Sequence, residues 1–258
     1  FRFCLQCGVA YGARQVSDFG KVGALGSEGR STATTILSLS AIRQIRAQKT
    51  LPEKAQKLLS FTDNRQDASL QAGHFNDFIE IGVLRAGLYR AVVDAGPSGI
   101  EHHELTQRVF QALGLPFGAY ARDPDVKFLA KTDTERAFRD VLGYRIYRDL
   151  KRGWRITLPN LEQCGLLKIR YRSLDELVAD EETWKGADPA LAALRPDQRE
   201  EILHTLLDFM RRELALKVDF LEPHRQDSLR QLSNQRLVEP WAIDESDVLE
   251  QARVLHQR

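Results

Sequence analysis

The sequence predicts a fold that is α-rich overall, with an α/β start followed by a mostly α-helical region. Residues 57–62, KLLSFT, form a short apolar run between two polar stretches, which is typical of a buried strand. Apolar residues then recur at helical spacing from Leu70 to Val92, until Gly96 and Pro97 end the pattern. A strand, a polar turn and a long helix are the building block of parallel α/β sheets, so we expect one such unit here.

Beyond this unit the apolar pattern is mainly helical. We expect an amphipathic helix that ends at Gly114, and a longer helix from Pro196 whose apolar stripe belongs to the core. Residues 155–171 predict a helix, a turn, a helix and a short strand over 167–171, an order that resembles a winged helix. The arginines at 211–212 alternate with acidic residues and are expected at the surface.

The predicted organisation has four regions. They are a zinc-knuckle-like edge and loop (1–30), a β-turn-α segment (31–96), a winged-helix-like insert (97–185), and a helical region with a linker (186–258).

Length and composition narrow the class of protein. The chain has 258 residues, begins at Phe1 and contains one methionine, so we expect it to be part of a larger multidomain protein. No apolar run approaches the roughly 18 residues that cross a bilayer, so no membrane contact is expected. Three cysteines are too few for a disulfide framework, which favours the cytoplasm. The formal charge of +1 means that any nucleic-acid contact must use local basic clusters.

The motifs of a complete ATPase are missing. The sequence has no Gly-x-x-x-x-Gly-Lys-Ser/Thr loop, and the stretch GALGSEGRSTATT fails because Arg30 stands where lysine is needed. It also has no Asp-Glu box to supply a magnesium carboxylate. We therefore do not expect this chain to hydrolyse ATP by itself.

Polar residues crowd at the carboxyl end of the predicted strand, where ligands bind in parallel α/β sheets. Backbone amides of the next helix, together with Arg65 and the Asn64 amide, could hold a nucleic-acid phosphate. Alternatively, Asp63 caps the helix and Arg65 pairs with Asp67 at the surface. The spacing favours neither interpretation.

A resemblance bears on this choice. The segment SFTDNRQDASLQAGHFNDF, residues 60–78, resembles the fourth helicase motif of large bacterial superfamily-2 DEAD/DEAH-box helicases, a group with a cysteine-rich zinc domain. Some members belong to phage-defence islands such as the Druantia type. The segments RFCLQCGVAY and TLPNLEQCGLL are also similar to that group.

The resemblance implies a partial second RecA-like lobe of an ATP-dependent DNA helicase. Its backbone contacts with the tracked strand would come from Thr62, Asn64 and Arg65, supported by Gln66. ATP and Mg²⁺ would be bound mainly outside this chain, by the remaining domains of the parent protein. No later arginine-rich motif is found before Arg258, so an insert or an early end of the lobe is implied.

A second candidate for nucleic-acid contact is a basic and aromatic cluster around Arg148, Lys151 and Arg152. Arginines and lysines can track a phosphate backbone, and interleaved rings such as Tyr144 and Tyr147 can stack on bases. The alternative is an ordinary solvated helix face whose aromatic residues belong to the core.

Cys4 and Cys7 have the two-residue gap that lets two thiolates bind one tetrahedral zinc ion. The remaining ligands could precede Phe1, or could come from Cys164 and a histidine. Alternatively, both cysteines are small buried residues. If the zinc site and the winged helix exist without a motor, the chain is instead a non-catalytic adaptor that binds DNA or a partner protein.

Overall fold

The computed structural model describes residues 30–48, 51–59, 65–151, 160–245 and 247–252. In this part of the chain the structure is α-rich, as predicted. The α-helices are α1 Arg30–Ala47, α2 Arg65–Ala95, α3 His102–Leu113, α4 Phe128–Leu150, α5 Leu174–Ala179, α6 Glu181–Trp184, α7 Pro189–Ala192, α8 Pro196–Arg212 and α9 Pro223–Arg236. The β-structure of the described residues is one antiparallel bridge between Ala121 and Leu237.

The chain divides into two compact units, and the boundary between them lies inside α2, after Val83. In the first unit, Thr35 and Ser38 of α1 are buried. The Gln71 side-chain amide donates a hydrogen bond to Thr35 Oγ1 over 3.3 Å, which joins α1 to α2. The first unit is thus held in part by polar contacts between two helices.

The predicted strand at residues 57–62 is not confirmed. Lys57, Leu58 and Leu59 have no strand structure, and Leu59 is 78% exposed. Residues 60–62 lie outside the described residues. A strand is stable only where a neighbour accepts its ladder hydrogen bonds, and no described segment forms a strand pairing with residues 57–59. The apolar run therefore does not form the buried strand over its described part.

Aromatic side chains form the centre of the second unit. The rings of Tyr120 and Phe138 stack with centroids 4.2 Å apart, and Trp241 meets Phe138 edge-on at 4.9 Å. Helix α4 supplies much of this core and packs against α3 and α9. The acidic stretch after Pro240 takes part as well, because Trp241 and Ile243 are buried.

Gly143 allows a close approach to α4. A Cβ atom at this position would lie 2.6 Å from ring carbons of Phe220, closer than side-chain atoms pack. The ring of Phe220 also lies beside Tyr147, with centroids 6.2 Å apart. The absence of a side chain at Gly143 is what lets this ring pack against the helix.

A buried ion pair joins the later part of α2 to the end of α4. Arg85 donates through Nη2 to Asp149 Oδ1 at 2.8 Å and through Nε to Oδ2 at 3.0 Å. The Asp149 side chain is 3% exposed and that of Arg85 is 13% exposed. The Asn160 side-chain amide donates a hydrogen bond to the main-chain oxygen of Asp149 at 3.0 Å. This bond joins residue 160, which follows residues 152–159, to the end of α4.

The predicted winged helix is not confirmed by the residues that can be described. Residues 161–165 form turns, closed by a hydrogen bond from Cys164 N to Asn160 O, and residues 167–171 are irregular. The predicted strand lacks a partner within the described ranges, and Tyr171 instead donates its hydroxyl to Asp208 Oδ1 at 2.7 Å. The side chain of Tyr171 therefore anchors the segment that was expected to form a wing.

Helix α8 begins at Pro196 as predicted, but its apolar stripe is only partly core. Ile202, Leu206 and Phe209 are 44%, 48% and 53% exposed. The side of α8 that packs inward, against α5, buries Arg199 and Arg211 instead. Leu203, Leu207 and Met210 are half-buried and Leu214 is buried, so the predicted stripe is covered on one side only.

Helix α3 ends where the sequence predicts. Its last residue is Leu113, and Gly114 follows with φ of 55°, the left-handed conformation that a glycine adopts without strain.

None of the helices in the described ranges has the length and apolar character needed to cross a bilayer.

Candidate nucleic-acid interface

The candidate contacts around the fourth helicase-like motif fall at the start of α2. Thr62 and Asn64 lie outside the described residues. Arg65 and Gln66 are the first two residues of α2, which continues for 31 residues. The N–H groups in the first turn of a helix have no partner within the helix, and the helix dipole favours negative charge there. Because residues 60–64 lie outside the described residues, an anion site at the start of α2 stays a prediction.

The second set of candidate contacts lies at the end of α4. Arg152 is outside the described residues. Lys151 Nζ is 2.8 Å from Glu250 Oε2, and its side chain is 12% exposed. The guanidinium carbon of Arg148 is 5.9 Å from the centroid of the Tyr144 ring. The positive charges of this cluster thus have neighbours within the protein, and their role toward nucleic acid stays a prediction.

The rings of this cluster belong to the core. Tyr144 and Tyr147 are both buried, and the hydroxyl of Tyr144 accepts a hydrogen bond from the Glu250 main-chain N–H at 2.9 Å. Burial raises the pKa of Tyr144, although the hydrogen bond from Glu250 acts in the opposite direction. The neighbouring Arg145 is buried too, and it donates to the Pro240 carbonyl at 2.6 Å. In this packing neither tyrosine ring is available to stack on a base.

The candidate zinc ligands Cys4 and Cys7 lie outside the described residues. Cys164, His102 and His103 are solvent-exposed, and the two histidines lie at the start of α3. Within the described residues, no group of three or more His, Cys, Asp or Glu side chains is arranged to hold a metal ion. Zinc binding therefore stays a prediction.

A charged cluster lies between the 160–171 segment and α8, where the sequence pattern had placed Arg211 at the surface. Arg211 is buried, and its Nη2 atom is 2.6 Å from Glu162 Oε1 and 3.1 Å from Asp208 Oδ1. Arg212 Nη2 lies 3.2 Å from Asp208 Oδ2. The partner Glu162 is distant in sequence, so local charge alternation gave no signal of this burial.

Ionisation in the cluster follows from burial and hydrogen bonding. Burial raises the pKa of Tyr171 to about 12, and its hydrogen bond to the Asp208 carboxylate acts in the same direction. Burial opposes the ionisation of Asp208, but hydrogen bonds from Tyr171 and Arg211 outweigh it and lower the pKa of this carboxyl. Two arginines face two carboxylates here, so the cluster is close to neutral and acts as a structural clamp.

The burial of a second guanidinium, that of Arg199, is also not indicated by the local sequence. Arg199 donates to the main-chain oxygens of Val178 and Ala192, at 3.2 and 2.7 Å, and to Glu181 Oε1 at 2.8 Å. Its guanidinium carbon is 5.2 Å from the Trp184 ring centroid. Because every one of these partners belongs to the protein, Arg199 holds α5–α8 together and offers no charge to a ligand.

No protein-family model, curated protein or solved structure matches the chain. The candidate interface consequently rests on the residues themselves and on the resemblance of residues 60–78 to the helicase motif.

Proposed function

We propose that this chain forms part of the second motor lobe of an ATP-dependent superfamily-2 DNA helicase or translocase. One observation carries the proposal. Residues 60–78 resemble the helicase motif in sequence, and the described part of α2, Arg65–Ala95, supplies the long helix that follows the polar residues of that motif. Thr62, Asn64 and Arg65, supported by Gln66, contact the sugar-phosphate backbone of the tracked strand.

The proposal assigns ATP and Mg²⁺ mainly to a first lobe outside this chain. Closure of the two lobes on ATP moves the backbone contacts along one DNA strand. The strand expected before α2, the cytoplasmic location, a winged helix within 97–185 and zinc at Cys4 and Cys7 belong to the same proposal. Arg65 is accordingly a binding residue and takes no part in phosphoryl transfer.

Replacement of Arg65 by alanine in the full-length protein tests the proposal. We expect Arg65→Ala to lower the rate of duplex unwinding while ATP binding, measured with a fluorescent nucleotide, stays at the wild-type level. The two properties separate because the variant no longer holds a phosphate of the tracked strand, whereas the nucleotide is bound elsewhere.

Arg90→Ala is a matched control, since it removes an exposed arginine from the same helix. We expect it to unwind DNA at the wild-type rate. Wild-type unwinding by Arg65→Ala would refute the proposed contact, and equal losses of ATP binding and unwinding would show a folding defect.

A non-catalytic adaptor is the second candidate function. The exposed apolar face of α8, formed by Ile202, Leu206 and Phe209, favours it, since exposed apolar patches mark interaction surfaces. An adaptor would prefer duplex DNA, with binding insensitive to Arg65→Ala but abolished by substitution of Arg148 and Arg152. A motor lobe would instead lose DNA binding on Arg65→Ala and keep it when Arg148 and Arg152 are substituted.

A further inference from the structure

Helix α1 exposes one side along its carboxyl-terminal half. The exposed residues are Ser40, Arg43, Gln44, Arg46 and Ala47. Residues three or four positions apart are neighbours on a helix surface, so these five form one continuous surface, the basic face of α1. The residues between them, Ala41, Ile42 and Ile45, are half-buried. This half of α1 therefore turns its apolar side toward the protein and both of its arginines toward solvent.

The positive charge of this face is not offset by acidic residues nearby in the chain. Residues 30–59 contain six basic residues and one acidic residue, Glu53. Arg43 and Arg46 form no ion pair with a carboxylate among the described residues, and the same holds for the exposed Lys54 and Lys57 after α1. Among the side chains that the structure describes in the first unit, the acidic one is Glu80, which is half-buried. The described surface of this unit is therefore basic.

A surface of this composition suits a chain of phosphates. Proteins contact nucleic-acid phosphates and sugars through arginine and lysine, and through the hydroxyl and amide groups of serine, threonine, asparagine and glutamine. The basic face of α1 offers both kinds of donor, the guanidinium groups of Arg43 and Arg46 and the neutral groups of Ser40 and Gln44. Charge complementarity therefore favours a polyanion that also accepts hydrogen bonds.

An anionic membrane would also attract arginines, but α1 lacks the pattern of a helix that lies on a membrane. Such a helix has apolar residues on one side and basic residues on the other. In α1 the exposed Ile36 lies seven positions before Arg43 and hence on the same side of the helix. The buried side includes the hydroxyl residues Thr35 and Ser38. A nucleic acid is thus the better match.

We propose that the basic face of α1 binds the phosphate backbone of a nucleic acid, with Arg43 and Arg46 each at one phosphate and with Ser40 and Gln44 donating to phosphate or sugar oxygens. The site deepens the proposed function, on which it rests, by adding contacts within the first unit, which also contains Arg65. Backbone contacts do not read the bases, so this face binds strands of any sequence.

Fluorescence anisotropy at several salt concentrations tests this site in the 258-residue chain, with labelled oligothymidylate and with its duplex with oligoadenylate. The test variant combines Arg43→Gln with Arg46→Gln, because glutamine favours the helix and carries no charge. We expect the slope of log affinity against log salt concentration to fall by about 1.4 on the single strand or about 1.8 on the duplex, since each lost phosphate contact removes about 0.7 or 0.9. The arm that shows the loss identifies the form bound.

Two control variants make the result specific. Arg43→Lys with Arg46→Lys retains both charges and should keep the wild-type slope, since lysine also neutralises phosphates. Lys127→Gln with Lys131→Gln removes two exposed charges at the start of α4, where acidic residues lie within four positions on either side. This variant matches the test variant in net charge and should keep the wild-type slope. Circular dichroism confirms that all variants are folded, and each single glutamine substitution should give half of the loss.

Three results would overturn the site. The first is an absence of oligonucleotide binding by the wild type, and the second is an equal loss of slope in the test variant and in Lys127→Gln with Lys131→Gln. The third is co-sedimentation of the wild type with phosphatidylserine vesicles that the test variant lacks, while both bind oligonucleotides with the same slope.

Failure of the proposed function gives a different pattern. If Arg65→Ala keeps the wild-type slope while Arg43→Gln with Arg46→Gln lowers it, the contact at Arg65 is wrong and the basic face of α1 stands. If Arg65→Ala lowers the slope and the double variant does not, the basic face of α1 alone is refuted.

Discussion

Replacing Arg85 by methionine is expected to destabilise the second unit strongly. The change leaves the Asp149 carboxylate, 3% exposed, without the guanidinium that binds both of its oxygens. Removing one partner of a buried ion pair costs about 3–5 kcal/mol, because the remaining charge stays desolvated after the charge that compensated it is removed. This is a large share of the roughly 5–15 kcal/mol that separates folded from unfolded domains.

Urea unfolding followed by far-UV circular dichroism measures this destabilisation. We expect the transition midpoint of Arg85→Met to fall while the slope against urea is unchanged, since the surface exposed on unfolding is the same. Arg108→Met is the matched control. It breaks an exposed pair with Glu104, at 3.3 Å, and should cost no more than about 0.5 kcal/mol.

A double variant separates the buried charge from the packing of the side chain. Arg85→Met combined with Asp149→Leu removes both charges and should recover most of the stability that Arg85→Met lacks. The reasoning would be refuted by equal stabilities of Arg85→Met and Arg108→Met. It would also be refuted if the double variant were as unstable as Arg85→Met.

Two further predictions concern packing and pH. Gly143→Ala should destabilise by about 1–3 kcal/mol, because the new methyl group meets the Phe220 ring, whereas Gly82→Ala, with open space around it, should stabilise by roughly 0.5–1 kcal/mol. Urea titrations measure the change in unfolding free energy for both variants. The prediction would be contradicted if both variants were destabilised or both were stabilised. Tyr171 ionises near pH 10 when unfolded and near 12 when folded, so its contribution is complete below pH 10 and is lost as pH rises toward 12. Tyr171→Phe should therefore flatten the fall in stability between these pH values, as measured by urea unfolding at a series of pH values.

Helix boundaries were the most predictable part of the fold, because their signals are local. Gly96 and Pro97 stop α2, and Gly114 ends α3, at the positions that the sequence indicates. A proline lacks the N–H that a helix interior needs, and a glycine accepts the left-handed turn at a helix end. Both effects act within a few residues.

Burial was harder to predict, because it depends on partners distant in the sequence. Arg211 looks like a surface residue until Glu162 is brought beside it. Ile202 and Leu206 look like core residues, but nothing in the described part of the chain covers them. Helical spacing gives the side of a helix on which apolar residues lie, and it does not give the element that packs there.

Of the candidate site, the sequence predicted a long helix after the polar residues 62–66, and Arg65 and Gln66 belong to α2. The basic face of α1 was not predicted, because the sequence does not show which side of α1 packs against the rest of the first unit.

The salt dependence of single-strand binding by Arg65→Ala tests the central proposal most directly. Each phosphate contact with a single strand contributes about 0.7 to the slope of log affinity against log salt concentration. Measured between about 50 and 200 mM salt, the slope for Arg65→Ala should be smaller than that of the wild type by about 0.7, and the slope for Arg90→Ala should be unchanged. Equal slopes for all three proteins would contradict a phosphate contact at Arg65 and, with it, the assignment of this segment to the tracked strand.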